Sequence, residues 1–270
     1  MRFGACVLAA IIFSVSQQSA AAVSHTTAVN NGTAWLVGQQ NQSDGSWGVR
    51  DDLRYVSTSE GALALLAAGQ VNAPYYASIA WLDNHAPQNI DFAARRVLTI
   101  GRVGATVAPE LSLLQTSQNL AAPGNSGWGL SPVYQGSPLD TALSVQALSQ
   151  QGVTTGVSQA VSYLLSVQLP ASGNDMGWAL GQEAVSDPTT TAHVILALVP
   201  QKAANAAVPG AVSNGLTALN AKVTASSPSH LVALAALANL KDDSSSIAGT
   251  TLVAALLNQQ AANGSWGGDD

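Results

Sequence analysis

The chain has 270 residues, of which 47% are hydrophobic and only 9% are charged, and its formal net charge is −6. A charged fraction far below the usual quarter or so, together with high hydrophobicity, excludes an intrinsically disordered chain and favours a large buried core. The densest group of basic side chains is Arg95, Arg96 and Arg102, and no basic stripe exists. Nucleic acid is therefore not expected as a partner, because phosphate binding needs clustered cations.

The N-terminus has the pattern of a secretory signal. Arg2 precedes a short apolar run over residues 7–15, and the small residues Ala20, Ala21 and Ala22 follow it. This pattern predicts a signal peptide over residues 1–22, cleavage near Ala22, and a secreted or periplasmic domain over residues 23–270. An apolar N-terminal helix of the fold is the other interpretation. The apolar run is too short to span a bilayer, so we expect no integral membrane segment after signal removal.

A repeated motif is the strongest internal signal in the sequence. In each copy, a predicted helix ends on Gln, and a Gly-containing loop with one Trp follows it. Four copies are visible, with the pairs Gln40 and Trp47, Gln118 and Trp128, Gln168 and Trp178, and Gln260 and Trp266. We expect all eight side chains to be structural, because the amide can bond exposed carbonyls at a helix end and the indole can bury a large ring.

The spacing of the motif predicts six units. The four tryptophans are 81, 50 and 88 residues apart, so each long interval should hold one degenerate copy. One copy is expected at Trp81 with a helix over residues 91–100, and the other at residues 216–222 with a helix over residues 229–240.

Each unit is predicted to contain two helices of different character. The first is amphipathic, as at residues 157–168. The second is apolar on nearly every side, as at residues 62–68, 142–148, 192–199 and 231–238. A helix that is apolar all round is buried all round, so the alternation predicts an outer and an inner ring of helices. Ser137-Pro138 and Asp187-Pro188 are predicted to begin inner helices.

The motif carries a family resemblance. The aromatic-Leu pair, the Gln and the Gly-Ser-Trp-Gly of residues 35–48 resemble the QW motif of squalene-hopene cyclase and related triterpene cyclases. The helix pairs are also similar to those of protein prenyltransferase beta subunits and macroglobulin-type thioester domains. The resemblance covers about residues 28–270 and implies an all-α, alpha-alpha toroid of two concentric rings with about six helical hairpins, the last one incomplete. A shared fold does not by itself imply a shared reaction.

The resemblance points to Asp140 as a candidate catalytic residue. Triterpene cyclases carry the acid motif D-x-D-D-T-A, and Asp140, Thr141 and Ala142 match only its last three residues. Pro138 and Leu139 stand where acidic neighbours would tune the proton donor. Helix capping is the other interpretation of Asp140. The inner helices supply Ala, Leu, Val and Ile in place of the aromatic rings that stabilise carbocations in cyclases.

His193, on a predicted inner helix, is the second catalytic candidate, and a satisfied core histidine is its other interpretation. The prenyltransferases bind zinc through Asp, Cys and His, whereas the only cysteine here, Cys6, lies in the predicted signal. His25, His85 and His230 each stand alone. We therefore expect no metal site and no cofactor.

Three further acids are candidates for ligand binding. They are Glu60, Glu183 and Asp187, and together with Asp140 they could converge on one rim as in a paired-carboxylate hydrolase. Each also has a local interpretation, and a first-turn helix acid is the one favoured for Glu60. Glu60 lies in residues 57–61, which are the nearest match in position to the thioester motif of macroglobulin-type domains but lack its Cys.

The function that the sequence favours is an exported module that binds a ligand or partner and lacks the cyclase acid and the zinc site. The partner is expected to be an apolar small molecule or a protein. The alternative is an enzyme that acts on an apolar isoprenoid-like substrate in the ring cavity, with Asp140 and His193 in catalysis. A glycan-active barrel is a third option, which the scarcity of aromatic residues disfavours.

The unit count leaves the last pair incomplete. Counting from Trp35 gives six outer helices and five inner ones, because the loop at residues 264–270 follows the sixth outer helix. Neighbouring apolar faces would then meet water at a cost of several kcal/mol, at roughly 25 cal/mol per Å². We therefore expect either a longer parent protein, or that residues 23–33 or a partner fill the gap.

Overall fold

The fold is all-α, as predicted. In a computed structural model, the described residues are 19–119, 126–170 and 175–267, and they contain eleven α-helices and no β-strand. The helices are α1 Ser19–Gly38, α2 Asp51–Ala67, α3 Ala73–Asn84, α4 Ile90–Ile100, α5 Ala108–Ser117, α6 Pro138–Gln150, α7 Val157–Ser166, α8 Pro188–Leu198, α9 Val208–Lys222, α10 Ser229–Asp242 and α11 Ile247–Gln259. The predicted outer helices are the odd-numbered ones, and the predicted inner helices are the even-numbered ones.

The chain divides into two compact units. The first comprises the described residues within 19–86, 224–240 and 244–267, with α1, α2, α3, α11 and most of α10. The second comprises residues 87–223 and 241–243, and it holds α4 to α9. Within the described residues, no helix is long and apolar enough to cross a membrane.

Even-numbered helices form the centre of the second unit. Helix α4 packs on α6 and α6 packs on α8, while α5, α7 and α9 cover α4, α6 and α8 respectively. The small and aliphatic side chains Ala142, Val145, Leu148, Ala192 and Ile195 are almost completely buried. The helices whose sequences are apolar on every face are therefore the ones that other helices cover on nearly every face.

Two helix starts in this unit follow the predicted cap pattern. Ser137 caps α6, and its Oγ accepts a hydrogen bond from the backbone N–H of Asp140 at 3.1 Å. Asp187 caps α8 and accepts from the backbone N–H of Thr190 at 2.7 Å. A proline occupies the first turn of both helices, where its missing N–H costs nothing.

The motif tryptophans are buried, with exposed fractions between 0% and 6%. Each indole Nε1–H donates to a leucine carbonyl in the last turn of the preceding helix. The pairs are Trp47 to Leu36 at 2.8 Å, Trp128 to Leu114 at 2.6 Å, Trp178 to Leu164 at 2.7 Å and Trp266 to Leu256 at 2.8 Å.

The motif glutamines connect two segments each. Every Nε2 donates to one carbonyl in its own Trp loop and to a second carbonyl of another odd-numbered helix, in its first turn or cap for three of them and in the middle of α1 for Gln260. The acceptors are Gly45 and Pro74 for Gln40, Ser126 and Gly156 for Gln118, Met176 and Ala211 for Gln168, and Gly264 and Ala28 for Gln260, all at 2.8–3.0 Å. One amide group thus satisfies two backbone acceptors and ties one odd-numbered helix to another.

A small residue lies one helical turn after each of these distant acceptors. It is Gly215 after Ala211, Gly32 after Ala28, Ala160 after Gly156 and Ser78 after Pro74. A methyl group at Gly215 would lie 2.6 Å from Cζ3 of Trp178, and one at Gly32 would lie 2.3 Å from Cζ3 of Trp266. The indole ring can therefore pack against the neighbouring helix only because glycine has no side chain at this position.

The last motif copy contacts the first helix. Residues 23–33 belong to α1, and Gln260 and Trp266 pack against that helix at Ala28 and Gly32. The segment is therefore part of an odd-numbered helix and not a separate even-numbered one. The expectation of a longer parent protein or a partner stays a prediction.

Substitutions at two glycines of α9 test this packing. Gly215→Ala should lower the free energy of unfolding by about 1–3 kcal/mol, because the new methyl group overlaps the buried Trp178 ring. Gly210→Ala, where no atom lies within 4 Å, should raise it by up to about 1 kcal/mol through helix propensity. Urea unfolding of both variants measures the two changes, and a stabilised Gly215→Ala would contradict the packing.

Candidate functional site

Each even-numbered helix of the second unit leaves one stripe incompletely buried. On α4 the stripe follows Asp91, Arg95 and Leu98, and on α8 it follows Thr189, His193 and Leu196, at i, i+4 and i+7. On α6 it includes Leu139, Gln146 and Gln150. Phe92, also half-buried on α4, is the single aromatic residue at these positions. We call these residues the helix stripe; it holds one leucine from each of the three helices, Phe92, and six polar or charged side chains.

Asp140 lies beside this stripe, in the first turn of α6. Its side chain is buried, and Oδ2 accepts a hydrogen bond of 2.7 Å from the Ser137 hydroxyl. Burial raises the pKa of Asp140 to about 6; the Ser137 hydrogen bond opposes the increase, the Asp91 charge adds to it, and Arg95 opposes it. Asp140 is therefore both a partner of the helix cap and a carboxyl that takes up a proton just below neutral pH.

Arg95 is the electrostatic neighbour that the two catalytic candidates share. Its Nε donates to Oδ1 of Asp91 at 2.8 Å, one turn earlier on α4. Its positive charge opposes the pKa increase of Asp140 and contributes to the pKa decrease of His193. The structure thus brings charged groups of α4, α6 and α8 within electrostatic reach of one another.

His193 is a poor proton acceptor in this environment. Some of the ring surface remains exposed, yet enough protein surrounds it for burial to lower its pKa to about 3, with a further contribution from Arg95. Its buried Nδ1 has no hydrogen-bond partner among the described residues, and its backbone carbonyl accepts from Gln146 at 3.2 Å. The imidazole is neutral at physiological pH, and its Nδ1 is a polar atom that the protein leaves without a hydrogen bond.

A cavity of about 440 Å³ opens next to the start of α6. Ser137, Pro138 and Tyr163 line it, together with Gln135 and Gln182 from the two loops. The Tyr163 hydroxyl donates to the Gly136 carbonyl at 2.5 Å, and burial, with the charge of Asp140, raises its pKa to about 12. Asp140 does not line the cavity, but Ser137, its hydrogen-bond partner, does.

The three remaining acid candidates have local surroundings of different kinds. Asp187 is the cap of α8 and accepts from both the backbone N–H and the hydroxyl of Thr190. Glu183 is exposed and accepts from the backbone N–H of Gly181 at 2.6 Å. Glu60 is half-buried on α2 in the first unit. In the second unit, Asp140, Glu183 and Asp187 each bond within their own loop or helix start.

A Ser and a Lys of the second unit also lie together, at Ser186 and Lys222. The ammonium donates to Ser186 Oγ at 2.8 Å and pairs with Asp175 at 3.0 Å, and the Ser186 hydroxyl donates to the same carboxylate. The group therefore fastens the loop before α8 to the end of α9.

Metal ligands do not cluster in the part of the chain that the structure describes. No group of three or more His, Cys, Asp or Glu side chains there could hold a metal ion. Cys6 lies outside the described residues.

Several contributing residues escaped the sequence analysis. Arg95 and Asp91 were visible there only as charges on a helix, and nothing in their spacing linked them to Asp140. Three threonines were also missed: Thr58, Thr141 and Thr191 each accept, at about 3 Å, the backbone N–H of a motif Trp. A Thr that recurs 11 to 13 residues after the Trp is the signal that could have revealed them.

No family model matches this sequence, and none of the curated proteins matches it. Among solved structures, the type II terpene cyclase MstE from Scytonema is similar in fold. An apo form of a variant has 16% identity and a TM-score of 0.52, over 98% of this chain and 70% of that chain. Variants in complex with geranylgeranyl dihydroxybenzoate, the substrate, and with merosterolic acid A, the product, each give 15% identity and a TM-score of 0.52. These two alignments cover 98% of this chain and 71% and 72% of the cyclase.

At this identity the likeness establishes the fold alone. The chain has a terpene cyclase-like helical fold, which confirms the fold that the resemblance of the motif implied. The proteins with this fold include one whose structures contain an isoprenoid-bearing substrate.

The raised pKa of Asp140 predicts a pH-dependent effect of Asp140→Asn. Between about pH 4 and pH 6 the native state holds more protons at this position than the unfolded state, so wild-type stability falls as pH rises through that window. Asn cannot ionise and still offers an oxygen to Ser137. The variant should therefore exceed wild type by about 1–3 kcal/mol at pH 7.5, with the difference closing near pH 4.

Urea unfolding of wild type and Asp140→Asn at pH 4.0 and pH 7.5 measures this difference. A stability difference that is the same at both pH values would show that Asp140 titrates normally.

Proposed function

We propose that this protein binds an apolar, isoprenoid-like small molecule along the helix stripe without cyclising it. The stripe itself carries the proposal, because it presents Phe92 and one leucine from each of three adjacent helices, with polar groups between them. The apolar side chains suit the hydrocarbon chain of an isoprenoid alcohol, and the polar groups suit its hydroxyl head. The fold neighbour whose structures contain geranylgeranyl dihydroxybenzoate and merosterolic acid A supports the same class of ligand.

Two features argue against proton-initiated cyclisation. Protonation of an alkene needs an acid much stronger than a carboxyl with a pKa of about 6, and neither Pro138 nor Leu139 can strengthen Asp140. Carbocations are stabilised by aromatic faces, and Phe92 is the single aromatic residue of the stripe. The proposed role is therefore retention of the ligand and not its conversion.

Asp140 also supports a second candidate function, an enzyme that acts on an isoprenoid-like substrate. A buried carboxyl that is protonated below about pH 6 can donate to an oxygen leaving group, such as an allylic alcohol, more readily than to a carbon. In that case, turnover would increase below pH 6 and would require Asp140.

Equilibrium dialysis with radiolabelled geranylgeraniol tests the binding proposal. Leu196→Gln should weaken binding at least about tenfold, since it places an amide on the stripe, whereas Val185→Gln, at a 61% exposed loop position of the same unit, should leave it unchanged. Thermal melting of both variants confirms that they are folded.

The same incubations, extracted and analysed by mass spectrometry at pH 5.5 and pH 7.5, should show unchanged geranylgeraniol. A product that disappears in Asp140→Asn would replace the binding proposal with the enzyme. Failure of wild type to bind saturably, or equal binding by wild type and Leu196→Gln, would contradict the proposed site.

We also propose that the protein is exported. The pattern of Arg2, the apolar run of residues 7–15 and Ala20–Ala22 supports cleavage near Ala22, a point that lies within α1 of the uncleaved chain. N-terminal sequencing of material secreted by a bacterial host should begin close to Val23. Secreted protein that begins at Met1 would contradict this prediction.

A further inference from the structure

The first unit contains a second cavity, of about 320 Å³, at the end of α1. Trp35 and Gln39 line it from α1 and its end, Asn41 and Val49 from the Trp47 loop, and Arg54 with Ser57 from the first turns of α2. None of these residues belongs to the helix stripe or to the cavity next to α6, so the cavity is independent of the proposed function.

One wall of this cavity is an aromatic face. Trp35 is half-buried and packs against the core cluster that contains Leu36 and Trp47, so the indole is held in place. The corresponding residue of the third motif copy, Tyr163, also lines a cavity, but its ring is 5% exposed and its hydroxyl is bonded to Gly136. Of these two motif copies, therefore, the first presents the more accessible aromatic surface.

The rim carries donors that the protein leaves unused. The Nδ2 amide of Asn41 and the Oγ of Ser57 make no hydrogen bond to described residues, while Asn41 Oδ1 accepts from Ser43 and so fixes the orientation of the side chain. Two polar groups that flank a fixed ring can direct a ligand that stacks on that ring.

Arg54 is the one charged residue among the described residues that line the cavity, and two carboxylates lie beside it. Arg54 lies 3.2 Å from Asp51 and 3.8 Å from Asp44. Burial opposes the charge of Asp44, but hydrogen bonds from Ser46 and the positive charges of Arg54 and His85 hold its pKa below the usual value. Arg54 disfavours a cation and the two carboxylates disfavour an anion, so a neutral ligand is favoured.

We propose that this cavity binds a single neutral sugar ring, either free or at the end of a glycan. The C–H face of a pyranose stacks on an indole, and its hydroxyl groups both donate and accept. They would accept from Asn41 Nδ2 and Ser57 Oγ, and they would donate to Ser57 Oγ, which can also accept. A volume of about 320 Å³ lies at the lower end of the range for ligand pockets, roughly 300–1,000 Å³, which limits the ligand to about one ring.

Titration calorimetry and saturation-transfer NMR with D-glucose, D-galactose, D-mannose and N-acetyl-D-glucosamine test the proposal. Choline chloride and sodium phosphate serve as the cationic and anionic probes. We expect saturable binding of at least one sugar in the millimolar range, and at least tenfold weaker binding of choline and phosphate.

Trp35→Ala should weaken binding of that sugar at least tenfold, and Tyr76→Ala, which removes a 58% exposed ring of the same unit, should not change it. Because Trp35 packs on the core, thermal melting accompanies both variants. If Trp35→Ala fails to fold, Asn41→Ala and Ser57→Ala provide the test, with about threefold to tenfold weaker binding expected from each.

Three outcomes would overturn the proposal. They are no saturable binding of any of the four sugars, sugar binding that the variants of the cavity leave unchanged, and tighter binding of choline or phosphate than of any sugar. None of these outcomes bears on the geranylgeraniol experiment, which probes the second unit.

Discussion

The stability of this fold depends on the hydrogen bonds that tie each Trp loop to a second odd-numbered helix. Few charged side chains are available to do this, since only 9% of the residues are charged. Four glutamine amides take the role instead, each bonded to its own loop and to another odd-numbered helix. The distant acceptor at Gly156 also accepts from the backbone N–H of Ala160, so the amide adds a second bond there, whereas its bond to the loop carbonyl avoids a cost of about 1–3 kcal/mol for an unsatisfied buried group.

This arrangement explains the composition of the rest of the chain. The Trp that follows each Gln bonds the same helix end, and Trp178 and Trp266 also pack on another helix at Gly215 and Gly32, where a side chain would meet the ring. Because these polar contacts are made by the odd-numbered helices and their loops, the even-numbered helices of the second unit can be apolar on nearly every side. Their one incompletely buried stripe is where groups such as Arg95, His193 and Gln146 appear, and this is why the candidate site lies there.

The local structure could be predicted from the sequence. The two degenerate units, inferred from intervals of 81 and 88 residues, correspond to α3 with α4 and to α9 with α10. The helix starts at Ser137 and Asp187 were also predicted, because caps and prolines act over three or four residues. The sequence offered a catalytic acid and a helix cap as alternatives for Asp140. In the structure this residue both takes part in the cap and has a raised pKa.

Long-range geometry could not be predicted in the same way. The distant acceptor of Gln168 is 43 residues away, and that of Gln260 is 232 residues away. The electrostatic link from Arg95 to Asp140 and His193, and the cavity beside Trp35, likewise depend on how helices pack. None of these contacts leaves a periodic pattern, because each joins residues whose spacing is set by the loops between them.

The central claim is that the motif glutamines hold the helices together by bonding two carbonyl groups at once. The free energy of unfolding of Gln168→Met, compared with that of Gln159→Met, tests it most directly. Gln159 is exposed on α7, whereas Gln168 follows the same helix and bonds Met176 and Ala211. The account predicts a loss of about 2–4 kcal/mol for Gln168→Met and a change within about 0.5 kcal/mol for Gln159→Met. Equal stability of the two variants would contradict it.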